Sequence, residues 1–407
     1  MHPGRRRSLL QLGAWGAWGA SGAWGTLGVA GCAAAPRALH AQTTGAVLTT
    51  ASAHPPPSAQ AQATDVWPGR VLRFPDDHGA HLGSRTEWWY ATGWMGTEAA
   101  PTHGFQITFF RSRTDLAAGN TSRFAARHLL FAHAAVTALA PAAHGHSQRL
   151  VRWNGSPDAA TGHAAVGRGA VQMDGPHARG WHMHDDGQAW RVQAEGDGLA
   201  INVVLTRTQP LLLQGDAGFS RKGPDVRHAS HYYSEPQLAV SGSLRLAGRE
   251  VRSQGRAWMD HEWSEAILTD GAVGWDWIGM NLFDGSALTA FELRRADGSA
   301  VWAGGSYRTA GAMGAPARIF AADEVRFTSG RRWRSPATAA SYPVEWQVQC
   351  PGGMFRVRAL ADAQELDSRA TSGTVYWEGL SELLDPQGRR VGLGYLEMTG
   401  YAGALKL

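Results

Sequence analysis

Two short segments place carboxylates directly beside tryptophans. Glu87 precedes Trp88 and Trp89 in Thr86-Glu-Trp-Trp-Tyr90, and Asp260 and Glu262 alternate with Trp258 and Trp263 in Ala257-Trp-Met-Asp-His-Glu-Trp263. A carboxylate next to an indole is expensive to bury unless it is paired, hydrogen-bonded or protonated. The clusters therefore point to a structural ion network or to a reaction site. A carboxylic acid kept protonated in an apolar pocket can donate a proton to an alkene and leave a tertiary carbocation. Indole faces stabilise such a cation by about 1–2 kcal/mol each when desolvated, and a polar neighbour can place the water that captures it. Trp258, Asp260, His261, Glu262 and Trp263 supply all of those parts within six positions.

Strand geometry divides this set. In an extended chain Trp258, Asp260 and Glu262 share one face while Met259, His261 and Trp263 share the other, so both sets cannot line one pocket. Each cluster also has a purely structural reading. Glu87 is expected to pair with an arginine such as Arg85, Arg111 or Arg256, and Asp260 with Glu262 to form a network near a domain junction. Of the 18 tryptophans, Trp15, Trp18 and Trp24 precede residue 31, and most of the others must be core, where indoles bury large area and find a partner for the N–H. A minority is expected at a ligand site. The candidates are Trp88, Trp89, Tyr90, Trp258, Trp275 and Trp277, with Glu87 beside them.

Other chemistries find less support. Asp76, Asp77, His78 and His81 form a compact group, and His144 with His146 and His182 with His184 would pair on strand faces. A metal site needs three or four converging ligands, and the preferred reading of the first group is a hydrogen-bonded loop around Gly79. No metal and no cofactor is assigned. Gly-x-Ser-x-Gly, P-loop and Gly-x-Gly-x-x-Gly motifs are missing from the sequence. Cys350, at the end of an apparent strand, has no neighbouring histidine to activate it and reads as a structural thiol.

The elements that must carry these residues are strands. Phe105–Phe109, Leu199–Leu205, Val344–Val348 and Phe355–Ala359 alternate apolar and polar positions, the period of a half-buried strand. Turn dipeptides recur at Asp174-Gly175, Asp186-Gly187, Asp270-Gly271, Asp284-Gly285 and Asp297-Gly298. No stretch sustains a helical period over four turns; only Pro316–Val325 is expected to hold a short helical piece. The pattern predicts an all-β chain of two consecutive barrels or sandwiches, residues 65–266 and 267–407, divided near Glu265–Ala272. Gly392 and Gly394 are expected where backbones approach closely or bend.

The N-terminal region reads as an address. Residues 1–31 carry Arg5-Arg-Arg7 before a Gly/Ala/Trp-rich stretch, the form of a twin-arginine signal peptide. Val29-Ala-Gly-Cys32 has the form of a lipobox and predicts lipidation at Cys32; cleavage after Ala41 is the alternative. Residues 32–64, rich in Ala, Pro, Ser, Thr and Gln, read as a disordered tether to a membrane. A periplasmic, lipid-anchored location is the resulting expectation. If Cys32 is lipidated or removed, Cys350 has no partner and the fold contains no disulfide. Arg5, Arg6 and Arg7 supply three of the four net positive charges. No basic run with interleaved aromatics follows, which argues against nucleic acid as a partner.

The strings Phe74-Pro-Asp-Asp-His-Gly79, Thr86-Glu-Trp-Trp-Tyr90, Ala257-Trp-Met-Asp-His-Glu-Trp263, Gly274-Trp-Asp-Trp277 and Tyr395-Leu-Glu-Met-Thr-Gly-Tyr401 occur in this order. In this the chain resembles the AttH/carotenoid 1,2-hydratase-like family over residues 67 to 404. The resemblance implies two lipocalin-like β-domains side by side and an elongated apolar ligand: a lipid, an isoprenoid or a polyketide-like molecule. Some members of the family hydrate acyclic carotenoids, and others accompany ABC transporter components. His261-x-Trp263 matches a pair important in the hydratases, which favours that face for chemistry. The hydratases also use an aspartate on a downstream strand, where this chain offers only Glu292. Two functions follow as expectations: binding of an elongated apolar ligand, with an ABC transporter as partner, or a hydro-lyase with His261, Trp263 and a nearby acid (Asp260, Glu262 or Glu292) as the working group.

Overall fold

The computed structural model describes residues 66–405, apart from 116, 118, 123, 157–161, 166–167, 174–179 and 312–315. The signal segment, Cys32, the tether and the Asp174-Gly175 turn lie outside the described residues. Apart from one turn of 3-10 helix at Asp76–His78, every described element is a strand. The expected helical piece at Pro316–Val325 is not formed. Arg318–Ile319 instead pairs with Ser306 and Tyr307 at a sheet edge, where the ladder satisfies backbone groups that so short a helix would leave open.

The first sheet has thirteen strands and runs from Thr86–Gly96 to Arg249–Ser264 in sequence; the second has ten and begins at Gly274–Leu282. All pairings are antiparallel. At the centre of the first sheet, Thr86–Gly96 lies between Pro101–Arg113 and Arg249–Ser264, and Ala229–Leu246 follows. At the centre of the second, Gly274–Leu282 lies between Ala287–Arg294 and Arg390–Met398, and Thr374–Leu384 follows. The two sheets form part of one compact unit.

Alternation explains both the peripheral and the central strands. In Leu199–Thr206 only Leu199, Ile201, Val203 and Leu205 are buried, as period two dictates for a strand with one wet face. The central strands are buried on both faces, because each separates a sheet's own interior from the other sheet. In Thr86–Gly96, Trp89, Ala91 and Met95 join the core inside the first sheet, while Tyr90 and Trp94 join a second core between the sheets. Across that boundary Ile278 and Met280 face the interior of the second sheet, and Trp277 faces the shared core with Phe291, Leu380 and Tyr395. Face-to-face packing of this kind needs interdigitating side chains about 10 Å deep.

Polar contacts pin the register between the sheets. The ladder of Ala229–Leu246 shifts between Glu235 and Leu238, and Gln237 there adopts φ 59°. This bulge re-aims Gln237 toward the second sheet. Its backbone N–H donates to Asn281 Oδ1 at 2.8 Å, and its side-chain amide donates to the carbonyls of Leu282 and Ser286 at 2.9 and 2.8 Å. His133 Nδ1 and the Tyr376 hydroxyl meet at 2.9 Å across the same boundary.

Close approach requires glycine at Gly394 and at Gly104, among other positions. A Cβ on Gly394 would sit 2.0 Å from the carbonyl of Gly279 on the neighbouring strand, in agreement with the sequence reading. A Cβ on Gly104 would meet Tyr395 Oη at 2.6 Å and Leu380 Cβ at 2.9 Å, across the junction of the two sheets. Gly104→Val is therefore expected to force the sheets apart and to destabilise the fold by about 1–3 kcal/mol, read as a lower urea midpoint with an unchanged slope.

Candidate active site

The interior of the first sheet is closed by a buried ion network. Glu87, fully buried on Thr86–Gly96, accepts from Arg111 Nε at 2.7 Å, His81 Nδ1 at 2.8 Å, the His81 backbone N–H at 3.0 Å and His261 Nε2 at 3.0 Å. Arg111 also donates to the carbonyls of His81 and Ser84 at 2.7 and 3.0 Å. His81 Nε2 reaches Asp77 Oδ1 at 2.8 Å, and Arg70 closes that end at 2.6 Å from the same oxygen. Burial alone would raise the Glu87 carboxyl. The Arg111 guanidinium and the two imidazoles override it and hold the group well below the usual carboxylate range. Burial would lower His81, but its two carboxylate partners raise it above an ordinary histidine. It therefore stands as an imidazolium donating from both nitrogens.

His261 belongs to the same network in a different protonation state. Burial lowers it despite the Glu87 contact, so it is a neutral imidazole donating from Nε2 to Glu87. Its Nδ1 then accepts from the Tyr233 hydroxyl at 3.2 Å, and Tyr233 meets His78 Nδ1 at 2.7 Å. His81 stacks on Trp263 with ring centroids 3.6 Å apart, and His261 stacks on Trp89 at 4.7 Å. Atoms of His81, Glu87 and His261 lie within 4.8 Å of one another, close enough to ligate an ion. Those atoms are already hydrogen-bonded to each other and to Arg111, so a metal would have to displace protons and a guanidinium from them.

The other face of the same strands opens on a pocket of about 120 Å³ between the two sheets. Its walls are aromatic: Trp88, Tyr90 and Phe110 from one side, Trp275, Trp277 and Phe291 from the other, with Tyr232 and Tyr376. Four carboxyls face this space. Asp260 and Glu262 come from the first sheet, Glu378 and Glu397 from the second, and Lys222 is the one ammonium among the lining residues. Lys222 Nζ lies 2.9 Å from Glu262 Oε1, 4.3 Å from the Phe291 ring centroid and 4.9 Å from that of Tyr232. Asp260 accepts from Trp258 Nε1 at 2.7 Å and from the Tyr232 hydroxyl at 2.9 Å.

Burial raises the carboxyls that have no cation beside them. Burial pushes Asp260 up to about 7 with help from the Glu262 charge, while hydrogen bonds from Ser234, Trp258 and Tyr232 pull the other way. Burial likewise pushes Glu397 up to about 8, against a hydrogen bond from Trp275 and with the charges of Asp260, Glu262 and Asp276. Burial and the adjacent Glu397 hold Glu378 well above the usual carboxylate range. Acids in an aromatic lining, protonated near neutrality, are the composition that general-acid chemistry requires.

The sequence matches the AttH-like family over residues 65–401. The chain belongs to the AttH-like family. An AttH of Nitrosomonas europaea, known from its crystal structure, is 41% identical over 83% of this chain and 99% of its own, with a TM-score of 0.73. Kievitone hydratase of Nectria haematococca shares the fold at 12% identity, over 82% of this chain and 94% of its own, with a TM-score of 0.59. No curated protein matches the sequence.

In this AttH-like chain the pocket gathers Trp88, Tyr90, Asp260, Glu262, Trp275 and Trp277 from among the residues singled out in the sequence. Trp258 stands behind them, bonded to Asp260 and edge-on to Trp277 at 6.4 Å. Trp89, Glu87, His261 and Trp263 do not line it. The favoured face of the Trp258–Trp263 segment is the one filled by the ion network, because the first sheet's interior lies on that side. Glu292 is also elsewhere. It lines a separate groove with Arg294 and Tyr401, beside Asp276, its cross-strand partner. Lys222, Tyr232, Glu378 and Glu397 were not anticipated as site residues. The signal for Glu378 was available, since Tyr376-Trp-Glu378 repeats the acid-beside-indole pattern.

Two outcomes follow from these electrostatics. Arg111→Met leaves Glu87 buried without its cation and is expected to destabilise the AttH-like fold by about 3–5 kcal/mol; adding Glu87→Gln should restore part of that loss in chemical denaturation. Glu397 binds its proton more tightly folded than unfolded. Its contribution is present below about 4.5 and is lost as pH rises toward about 8. Glu397→Gln should therefore gain stability relative to the unmodified chain over that window, and parallel pH profiles of the two proteins would contradict the assignment.

Proposed function

We propose that the aromatic pocket takes the end of an elongated, apolar, isoprenoid-like molecule and adds water across its double bond. The observation that carries this reading is four carboxyls and one lysine in a lining otherwise mostly aromatic, with Thr108, Ile267 and Leu293. Such a set cannot be fully ionised in a dry site, so at least one carboxylic acid remains as a proton donor. The indoles of Trp88, Trp275 and Trp277 supply faces for the cation that follows. The pocket, at about 120 Å³, is comparable with the cavity of about 150 Å³ that accommodates one benzene. It suits one branched end of a chain, with the remainder of the ligand outside. Kievitone hydratase is by its name a hydratase, and its likeness to this chain supports the fold alone.

Binding without turnover is the second reading, and the apolar lining favours it equally. An exported, lipid-tethered position would suit either role. That part of the proposal rests on Arg5-Arg-Arg7 and Val29-Ala-Gly-Cys32; a component of an ABC transporter as partner rests on the family resemblance alone.

Incubation with an acyclic carotene, followed by mass spectrometry, is expected to yield a tertiary alcohol, and the same ligand should quench tryptophan fluorescence. Trp277→Ala should weaken that binding about tenfold, as loss of a buried aromatic anchor does. Binding with no alcohol would remove the hydratase and leave the carrier; no binding at all would remove both. Cys32→Ser should release the protein from membranes, and continued membrane association would reject lipidation at that residue.

A further inference from the structure

The pocket's carboxyls differ in what they touch, and the difference separates an acid from a base. Glu262 is committed to Lys222 at 2.9 Å. Asp260 has both oxygens engaged by donors, Trp258 Nε1 at 2.7 Å and the Tyr232 hydroxyl at 2.9 Å, and donors of this kind favour a carboxylate. Trp277 Nε1 donates to Tyr232 Oη at 3.3 Å and fixes that hydroxyl in turn. Glu378 is the opposite case. It is buried and lines the pocket, and the group beside it there is the Tyr90 hydroxyl, with no cation in contact. Both groups line the space a ligand would fill.

Glu378 is also the direct cross-strand partner of Glu397, and both carboxyls face the pocket. Two carboxyls so placed, with no cation between them, retain a shared proton. Asp260 and Glu378 reach the pocket from different sheets, so a ligand end lying between the sheets has one on either side.

We infer that Glu378 is the proton donor of this pocket, and that Asp260 with Tyr232 holds the attacking water on the facing wall. The assignment rests on the hydration reading above. The Glu378 carboxylic acid gives its proton to the less substituted alkene carbon. The π pair forms the new C–H bond and leaves a tertiary cation on the neighbouring carbon. Water at Asp260 attacks that carbon with a lone pair and passes one proton to the Asp260 carboxylate. The net change is addition of one water; exchange with solvent returns the proton from Asp260 and replaces the one lost from Glu378. Burial and the neighbouring Glu397 keep Glu378 protonated beyond the ordinary range, whereas Asp260 titrates at about 7.

The test uses the full chain and citronellol, a short isoprenoid with one trisubstituted alkene, in D2O. The unmodified protein is expected to give the tertiary alcohol with deuterium on the adjacent carbon. Glu378→Gln should lower both alcohol and deuterium incorporation by about 100-fold or more, the range removed with a general acid. Asp260→Asn should leave deuterium entering the recovered alkene, because protonation and deprotonation continue, while the alcohol falls at least about tenfold. Retained deuterium incorporation in Glu378→Gln overturns the assignment while leaving the hydration reading intact. No alcohol and no deuterium with the unmodified protein overturns both. A readout independent of turnover is the infrared carbonyl band of a protonated carboxylic acid at neutral pH. It should weaken in Glu378→Gln, and an unchanged band overturns the assignment.

Discussion

The buried contact of Glu87 with Arg111 organises the rest of the molecule. It puts an ion pair with no solvent exposure at the centre of the first sheet, where only complete hydrogen bonding makes charge tolerable. His81, His261, Asp77 and Tyr233 satisfy what remains, and Trp89 and Trp263 seal the imidazoles. The consequence is spatial. A barrel-like interior that could have held a ligand is occupied by side chains, and the available apolar space moves to the junction between the sheets.

That junction exists because the central strands have two inner faces. Trp89 and Tyr90 are neighbours in sequence and belong to different cores. Asp260 and His261 are neighbours as well, one at the pocket and one in the network. The same alternation separates two electrostatic regimes. On the network side carboxylates meet arginine and imidazolium and stay ionised. On the pocket side Glu378 and Glu397 meet indoles, phenols and each other and keep protons, while Asp260 titrates at about 7 and Glu262 is paired with Lys222. A single lysine, already paired, is too little to reverse that.

Much of this was legible in the sequence. The period of two gave the strands, the Asp-Gly dipeptides gave the turns at residues 186, 270, 284 and 297, and the family strings gave the pair of lipocalin-like sheets. Arg111 was among three arginines considered for Glu87. The split of the Trp258–Trp263 segment into two faces followed from geometry alone. Which face meets a pocket did not, because that depends on where the second sheet docks. Glu378 and Glu397 were hidden for the same reason: they lie more than a hundred residues beyond Asp260, and only the packing of one sheet on the other brings them near it. Pro316–Val325 misled because its composition tolerates a helix, while the open edge of Ala300–Arg308 offered it a ladder.

The strands at the junction are a party wall. A side chain on one surface is the backing of the room next door, so a change that suits the network alters the pocket from behind, and the reverse. Recombination within this family therefore cannot exchange one sheet for a relative's without also importing the wall that matches it. Variation in ligand preference should accumulate instead at residues such as Lys222, Phe291 and Leu293, which line the pocket without touching the buried ion pair.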